Sequence, residues 1–366
     1  MKIGVLTSSR ADYSVYYPLL KKLQDDPFFE LSIIAFGTHL SPYHGETVSL
    51  IEADGFNVSH KISSIIIGDS PETIASSIGQ TMIKFSSLWA QEKFDFVLAL
   101  GDRFEMFAAV SALLPFNGKV VHLHGGETTT GAIDNAYRHS ISHMSYLHFV
   151  STEAYKLRLS GILGSNENIV ISGALSIESL ANQEIMSKEA LSADLGLDFT
   201  KPVILFTFHP ETAQFEANKN HITEILTAFD ELKQFQILIT MPNVDTMGNL
   251  IRSAILKYAE SNDQITIKES LGMKRYFSAM RHAALMLGNS SSGFVEASYF
   301  PTKVVNLGHR QDGRLITPNI INSAITKADI LQSVYRIYNS PPTGPINVYG
   351  TGQASEIIVQ TLKKLK

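Results

Sequence analysis

The chain has 366 residues, more than one ordinary domain, so at roughly 150 residues per domain two domains are expected. Hydrophobic residues make up 44% and charged residues 18%, which suits large buried cores and excludes a disordered chain. With 30 basic against 35 acidic side chains the net charge is −5, unlike a general nucleic-acid binder, and the lack of cysteine excludes disulfides, thiolate zinc sites and cysteine nucleophiles.

In chain order, short apolar runs at 2–7, 31–37, 94–100, 119–124, 147–151 and 169–173 read as strands. A second series occupies 203–208, 236–241, 265–269, 284–288 and 303–307. Most are apolar on both faces, as in a parallel sheet covered on both sides. Between them lie amphipathic helical patterns. Tyr16, Leu19, Leu20 and Leu23 recur at i, i+3, i+4 and i+7, and 72–92 and 222–232 read similarly. The alternation predicts an α/β protein with two Rossmann-like parallel sheets. The polar stretch 176–200 is the expected join. A Pro/Gly-rich stretch at 340–352 leads to an amphipathic helix at 354–366, expected to dock back on the first domain. The expected domains are 1–175 plus 352–366, and 176–351. No run approaches the roughly 18 apolar residues of a membrane span, and the N-terminal apolar run is too short for a secretory leader. A cytoplasmic protein without membrane or nucleic-acid partners is expected.

In open α/β sheets, ligands sit beyond the carboxyl ends of the strands. With two such domains facing each other, the ligand is expected in the cleft between them. After the first strand comes TSSRADY, residues 7–13. The dinucleotide fingerprint Gly-x-Gly-x-x-Gly is missing, and Ser8, Ser9 and Arg10 suit an anion or a ribose, or simply a capped helix. Asp102 in LGDRFE stands at a strand tip, either to act on a ligand or to cap a helix over 103–113. The densest cluster is HLHGGETTTGAIDNAYRH, residues 122–139. His122 and His124 are expected on one face of a strand, and Gly125-Gly126 permit a sharp turn. Asp134, Arg138 and His139 open a helix, with Asp134 and Arg138 as i, i+4 neighbours. Together with Glu127 these residues have the make-up of acid/base machinery. Two other readings stand beside it: a zinc or manganese site on His122, His124, Glu127 and Asp134, and a structural polar turn.

In the second half, His209 in FHPET comes directly after a strand and is a candidate acid/base or phosphate ligand. Asn243 in MPNVD comes after the next strand, as a ligand or in an ordinary turn. GNSSSGFVE, residues 288–296, is the most informative element. Its hydroxyls at Ser290 and Ser291, with backbone N–H groups at a helix start, suit a diphosphate, and Glu296 one turn in suits ribose hydroxyls. There is no Gly-Lys-Ser/Thr, so the diphosphate reads as part of a sugar nucleotide rather than a triphosphate. Arg310, Gln311 and Arg314 in GHRQDGR add positive charge after the last strand.

Taken together, TSSRADY, LGDRFE, HLHGGETTTGAIDNAYRHSISHMSYLHFVST, FHPET, GNSSSGFVE and NLGHRQDGR resemble the hydrolysing UDP-N-acetylglucosamine 2-epimerases of sialic-acid biosynthesis. Related enzymes of legionaminic-acid biosynthesis share the pattern. The match runs in consistent order from residue 1 to about 315. The resemblance implies a GT-B fold, a UDP-sugar substrate, no metal, no cofactor and a homodimer or homotetramer. It implies that Asp102, the carboxylate of the HGGE segment, Asp134 and His209 form the acid/base set. It makes Ser290, Ser291 and Glu296 the diphosphate and ribose ligands and Arg10 a nucleotide contact, with Arg138, Asn243 and Arg310 expected as further substrate contacts. Two departures stand out. Some relatives carry Glu where this chain has His124, which leaves the carboxylate role to Glu127 with His124 assisting. Some carry a second carboxylate where this chain has Asn135. The implied reaction eliminates UDP across C1–C2 and adds water to give N-acetylmannosamine. UDP-2,4-diacetamido-2,4,6-trideoxyglucose is the alternative substrate, and a GT-B glycosyltransferase is an alternative activity.

Overall fold

The computed structural model describes residues 1–68, 70–211, 216–242 and 248–365. Two compact units emerge. The first comprises Met1–Glu127, Asp134–Ala181 and Tyr349–Lys366; the second comprises Thr128–Ile133 and Asn182–Val348. Each is built on one parallel sheet, so the chain is α/β with two Rossmann-like halves.

The first unit carries β1 (Lys2–Thr7), β2 (Glu30–Phe36), β3 (Val58–Ile62), β4 (Phe96–Leu100), β5 (Val120–Leu123), β6 (Leu147–Val150) and β7 (Ile169–Ile171). Their order is β3-β2-β1-β4-β5-β6-β7. Alternation along each strand feeds two cores, one on each face of the sheet. In β4, Leu98 and Leu100 join Tyr16, Leu20 and Ile33, while Val97 and Ala99 join Phe36, Phe85 and Met106. The helix Ala354–Lys363 supplies Ile358 and Leu362 to the first of these cores.

The second unit carries β8 (Val203–Thr207), β9 (Gln236–Thr240), β10 (Ile265–Lys268), β11 (Leu285–Gly288), β12 (Val304–Leu307) and β13 (Ile320–Ser323), in the order β10-β9-β8-β11-β12-β13. Ile204 and Phe206 face one core and Val203 and Leu205 the other.

β3 and β13 are absent from the expected strands, and both lie at sheet edges. β3 reads VSHKI and alternates partly buried with exposed residues; β13 is four residues long. A strand with one paired side needs neither length nor a continuous apolar run, so its sequence signal is weak. Among the described residues, no helix is long and apolar enough to cross a membrane.

Candidate active site

Both sheets reverse their strand order once, between β1 and β4 and between β8 and β11. At such a reversal the connections leave towards opposite faces and open a crevice at the strand tips. In the first unit the loop after β1 is held by one carboxylate. Asp12 accepts from the Thr7 hydroxyl at 3.0 Å, from Ser8 N–H at 2.8 Å and from Ser9 N–H at 2.8 Å. Ser9 is the N-cap of the helix Arg10–Asp25 and completes a capping box with Asp12. His39 Nε2 lies 2.9 Å from the Thr7 hydroxyl, and burial pushes its pKa down. Arg10, next in line, is exposed.

The loops after β4 and β5 meet at Arg138, on the helix Asp134–His143. Its guanidinium is 3% exposed. One nitrogen pairs with Asp102 Oδ2; the other donates to the His124 carbonyl at 3.0 Å and lies 3.9 Å from Glu127 Oε2. Glu127 Oε1 is 3.0 Å from His124 Nδ1. A fork-shaped cation thus joins two carboxylates and a strand-end carbonyl. Glycine makes the turn possible. Gly126 has φ +74°, and a Cβ there would sit 2.3 Å from the Tyr155 carbonyl.

His122 is a core histidine. Its Nε2 lies 2.8 Å from the Gly101 carbonyl and its Nδ1 3.0 Å from the Ser142 hydroxyl. Burial pushes its pKa down to about 3, so it is neutral and holds the turn that carries Asp102.

In the second unit, Asn289 joins the two loops at the β8/β11 reversal. The His209 N–H donates to its Oδ1 at 2.7 Å, and its Nδ2 donates to the His209 carbonyl at 2.8 Å. The Asn289 carbonyl accepts from Arg310 Nη1 at 3.2 Å and Gln311 Nε2 at 2.8 Å. Next along the chain is Ser290, its hydroxyl 2.9 Å from that of Ser292, which is in turn 2.5 Å from the Tyr276 hydroxyl. Burial pushes Tyr276 up to about 12, so it stays a neutral hydrogen-bonding group. Glu211 is 3% exposed and accepts from the N–H groups of His309 at 2.6 Å and Arg310 at 3.1 Å. The segment Thr128–Ile133 packs in this unit: Thr130 N–H donates to the Asp312 carbonyl at 3.0 Å.

Several expectations are corrected. His124 lies past the end of β5 at φ +65°, so it does not share a strand face with His122. With both His122 nitrogens bonded inside the protein, the His-x-His metal reading loses its first ligand, and no metal-sized group of three His, Asp or Glu occurs among the described residues. Arg138 pairs with Asp102 rather than with Asp134, its neighbour one turn back, because β4 and β5 are adjacent. Asp102 is not a cap; that position belongs to Arg103, before the helix Phe104–Leu113. Ser291 opens a single 3₁₀ turn, and Glu296 starts a helix of only four residues, Glu296–Tyr299, so little helix dipole acts there. Asn243 lies outside the described residues. Of the remaining expected residues, Asp102, His124, Glu127 and Arg138 come together in the first unit, with Asp134 opening the helix that carries Arg138. His209, Ser290 and Arg310 come together in the second, through Asn289. Asn289, Glu211 and Asp12 stood in the quoted motifs but drew no role from the sequence. Asn289 carries the signal of a polar residue directly after an apolar strand, whereas Glu211 and Asp12 lie four and five residues beyond theirs.

The family model described as UDP-N-acetylglucosamine 2-epimerase matches residues 21–363. The GDP/UDP-N,N'-diacetylbacillosamine 2-epimerase (hydrolyzing) of Campylobacter jejuni is 37% identical over 90% of this chain and 85% of its own length. The UDP-N,N'-diacetylbacillosamine 2-epimerase (hydrolyzing) of Legionella pneumophila is 35% identical over 100% of this chain and 96% of its own length. Among solved structures, the UDP-GlcNAc 2-epimerase of Neisseria meningitidis bound to UDP-GlcNAc is similar in fold, with a TM-score of 0.85 at 19% identity over the whole of both chains.

Proposed function

The chain belongs to the UDP-N-acetylglucosamine 2-epimerase family, and on that premise we propose that it is a hydrolysing 2-epimerase of a UDP-2-acetamido sugar. The first reading of the substrate is UDP-N-acetylglucosamine, converted to N-acetylmannosamine and UDP. The observation that supports this most is the gathering of Asp102, His124 and Glu127 around the buried Arg138.

The chemistry asks for two things. Breaking the anomeric C–O bond builds positive charge on the ring and negative charge on the diphosphate, and a base must take the proton from C2. In this proposal the diphosphate takes Ser290, Ser291 and Arg310 as ligands, Glu296 takes the ribose hydroxyls, and Arg10 contacts the nucleotide. The carboxylates of Asp102, Glu127 and Asp134 supply the negative charge that stabilises the cationic ring, and together with His124 they make up the acid/base set of the proton transfers. His209 guides the water that adds to the glycal. The proposal calls for no metal and no cofactor.

The test is a proton NMR time course with UDP-N-acetylglucosamine in D₂O containing EDTA. Release of UDP with N-acetylmannosamine bearing deuterium at C2 is expected. Asp102→Asn is expected to slow turnover by about 10²-fold or more while UDP still binds. A second reading of the substrate, UDP-2,4-diacetamido-2,4,6-trideoxyglucose, draws support from the two bacterial relatives, both named for N,N'-diacetylbacillosamine. The same time course run on that sugar separates the two readings, and no turnover of either would refute the proposal.

A further inference from the structure

His124 bears two costs at once. It holds φ +65°, in the left-handed region that residues with a Cβ enter only at a steric cost. Its ring Nε2 is buried and has no hydrogen-bond partner among the described residues, so it is desolvated without compensation. The backbone is fixed on both sides: its N–H donates to the Phe149 carbonyl at 2.9 Å, and its carbonyl accepts from Arg138 at 3.0 Å. The other ring nitrogen, Nδ1, is 3.0 Å from Glu127 Oε1. Strain and an unpaired polar atom at one residue, so firmly held, are what a reacting group requires and a packing residue does not.

Glu127 is placed differently. It is 2% exposed, and both oxygens are engaged: Oε1 with His124 Nδ1 and, at 3.5 Å, the Ser151 hydroxyl; Oε2 with Arg138 at 3.9 Å. A carboxylate can only accept from Nδ1–H, so the imidazole lone pair is left on Nε2. Asp102 is bound by Arg138.

We infer that Nε2 of His124 is the atom that takes the C2 proton, and that Glu127 is a positioning residue that sets its tautomer. This rests on the epimerase reading. Nε2 forms the new N–H bond, the C2–H electron pair becomes the C1=C2 double bond, and the C1–O bond breaks with its pair leaving on UDP. The imidazolium faces the Glu127 carboxylate. Water then adds, hydroxyl to C1 and proton to C2, and the imidazolium returns its proton to solvent.

The test compares His124→Gly, His124→Gln and Glu127→Gln with the wild-type protein. Glycine accepts φ +65° without strain, so His124→Gly is expected to fold and to leave room for added imidazole. Both His124 variants are expected to lose roughly 10³-fold in kcat while the UDP dissociation constant changes by less than about threefold. Imidazole at tens of millimolar is expected to restore His124→Gly at least about tenfold, in proportion to its neutral fraction, and to leave Glu127→Gln unchanged. Turnover of His124→Gln within about tenfold of wild type would overturn the inference, since glutamine fills the site but is no base. So would a His124→Gly enzyme that imidazole does not rescue. If the wild-type protein released no UDP from either sugar nucleotide, the epimerase reading would fall first and this inference with it. An active wild type with an active His124→Gln overturns this inference alone.

Discussion

Acid is expected to loosen the first unit through two buried histidines. His122 on β5 and His148 on β6 lie edge to face, their rings 6.5 Å apart. Burial pushes His122 from 6.5 to about 3 and His148 to about 4. The unfolded chain regains an ordinary histidine, so below about pH 6.5 it takes up protons that the folded chain refuses. Their contribution to stability is therefore complete above about pH 7 and is lost as the pH falls. At about pH 5 each histidine costs about 2 kcal/mol, about 4 kcal/mol together, a figure that requires only that both folded values lie below that pH. Burial also pushes His39 and His139, in the same unit, down, which steepens the trend. His122→Gln keeps an amide donor for the Gly101 carbonyl but cannot be protonated. Urea unfolding followed by the fluorescence of Trp89, the only tryptophan and buried in the first unit, reads the effect. The variant is expected to lose about 2 kcal/mol less than wild type between about pH 8 and about pH 5. An equal loss in both proteins would refute the assignment of His122 as a buried neutral histidine.

Two further substitutions probe the second unit. Gly288 ends β11 at φ +136°, and a Cβ there would sit 1.9 Å from the Thr207 carbonyl, so Gly288→Ala is expected to cost more than about 3 kcal/mol; a thermal midpoint within about 2 °C of wild type would contradict this. Asn289→Ala removes the side chain that pairs with both the backbone N–H and the carbonyl of His209, at about 1–3 kcal/mol, and is expected to cut turnover about 10²-fold in the NMR assay. Wild-type stability and turnover together in that variant would show that Asn289 holds nothing the reaction needs.

The central strands were legible because burial on both faces leaves a continuous apolar run: β1, β4, β8 and β11 each coincide with one. They carry the reversals of strand order, so the loops that matter could be found before any geometry was known. The loop beyond a strand tip is harder to read, because sequence spacing speaks only for neighbours along the chain. Arg138 and Asp134 stand one helical turn apart, yet the guanidinium goes to Asp102, 36 residues away, on a loop made adjacent by the pairing of β4 with β5. The role of Asn289 was hidden for the same reason, since its partner His209 is 80 residues away. His124 is the sharpest case. Strand alternation, carried one residue too far, sets it beside His122. Its positive φ ends the alternation, and the two glycines after it bring Glu127 back to its ring within three residues. Alternation of side chains is a property of extended backbone, so it fails at the residue where the strand stops, and in a sheet of this kind that residue is the first one able to meet a ligand.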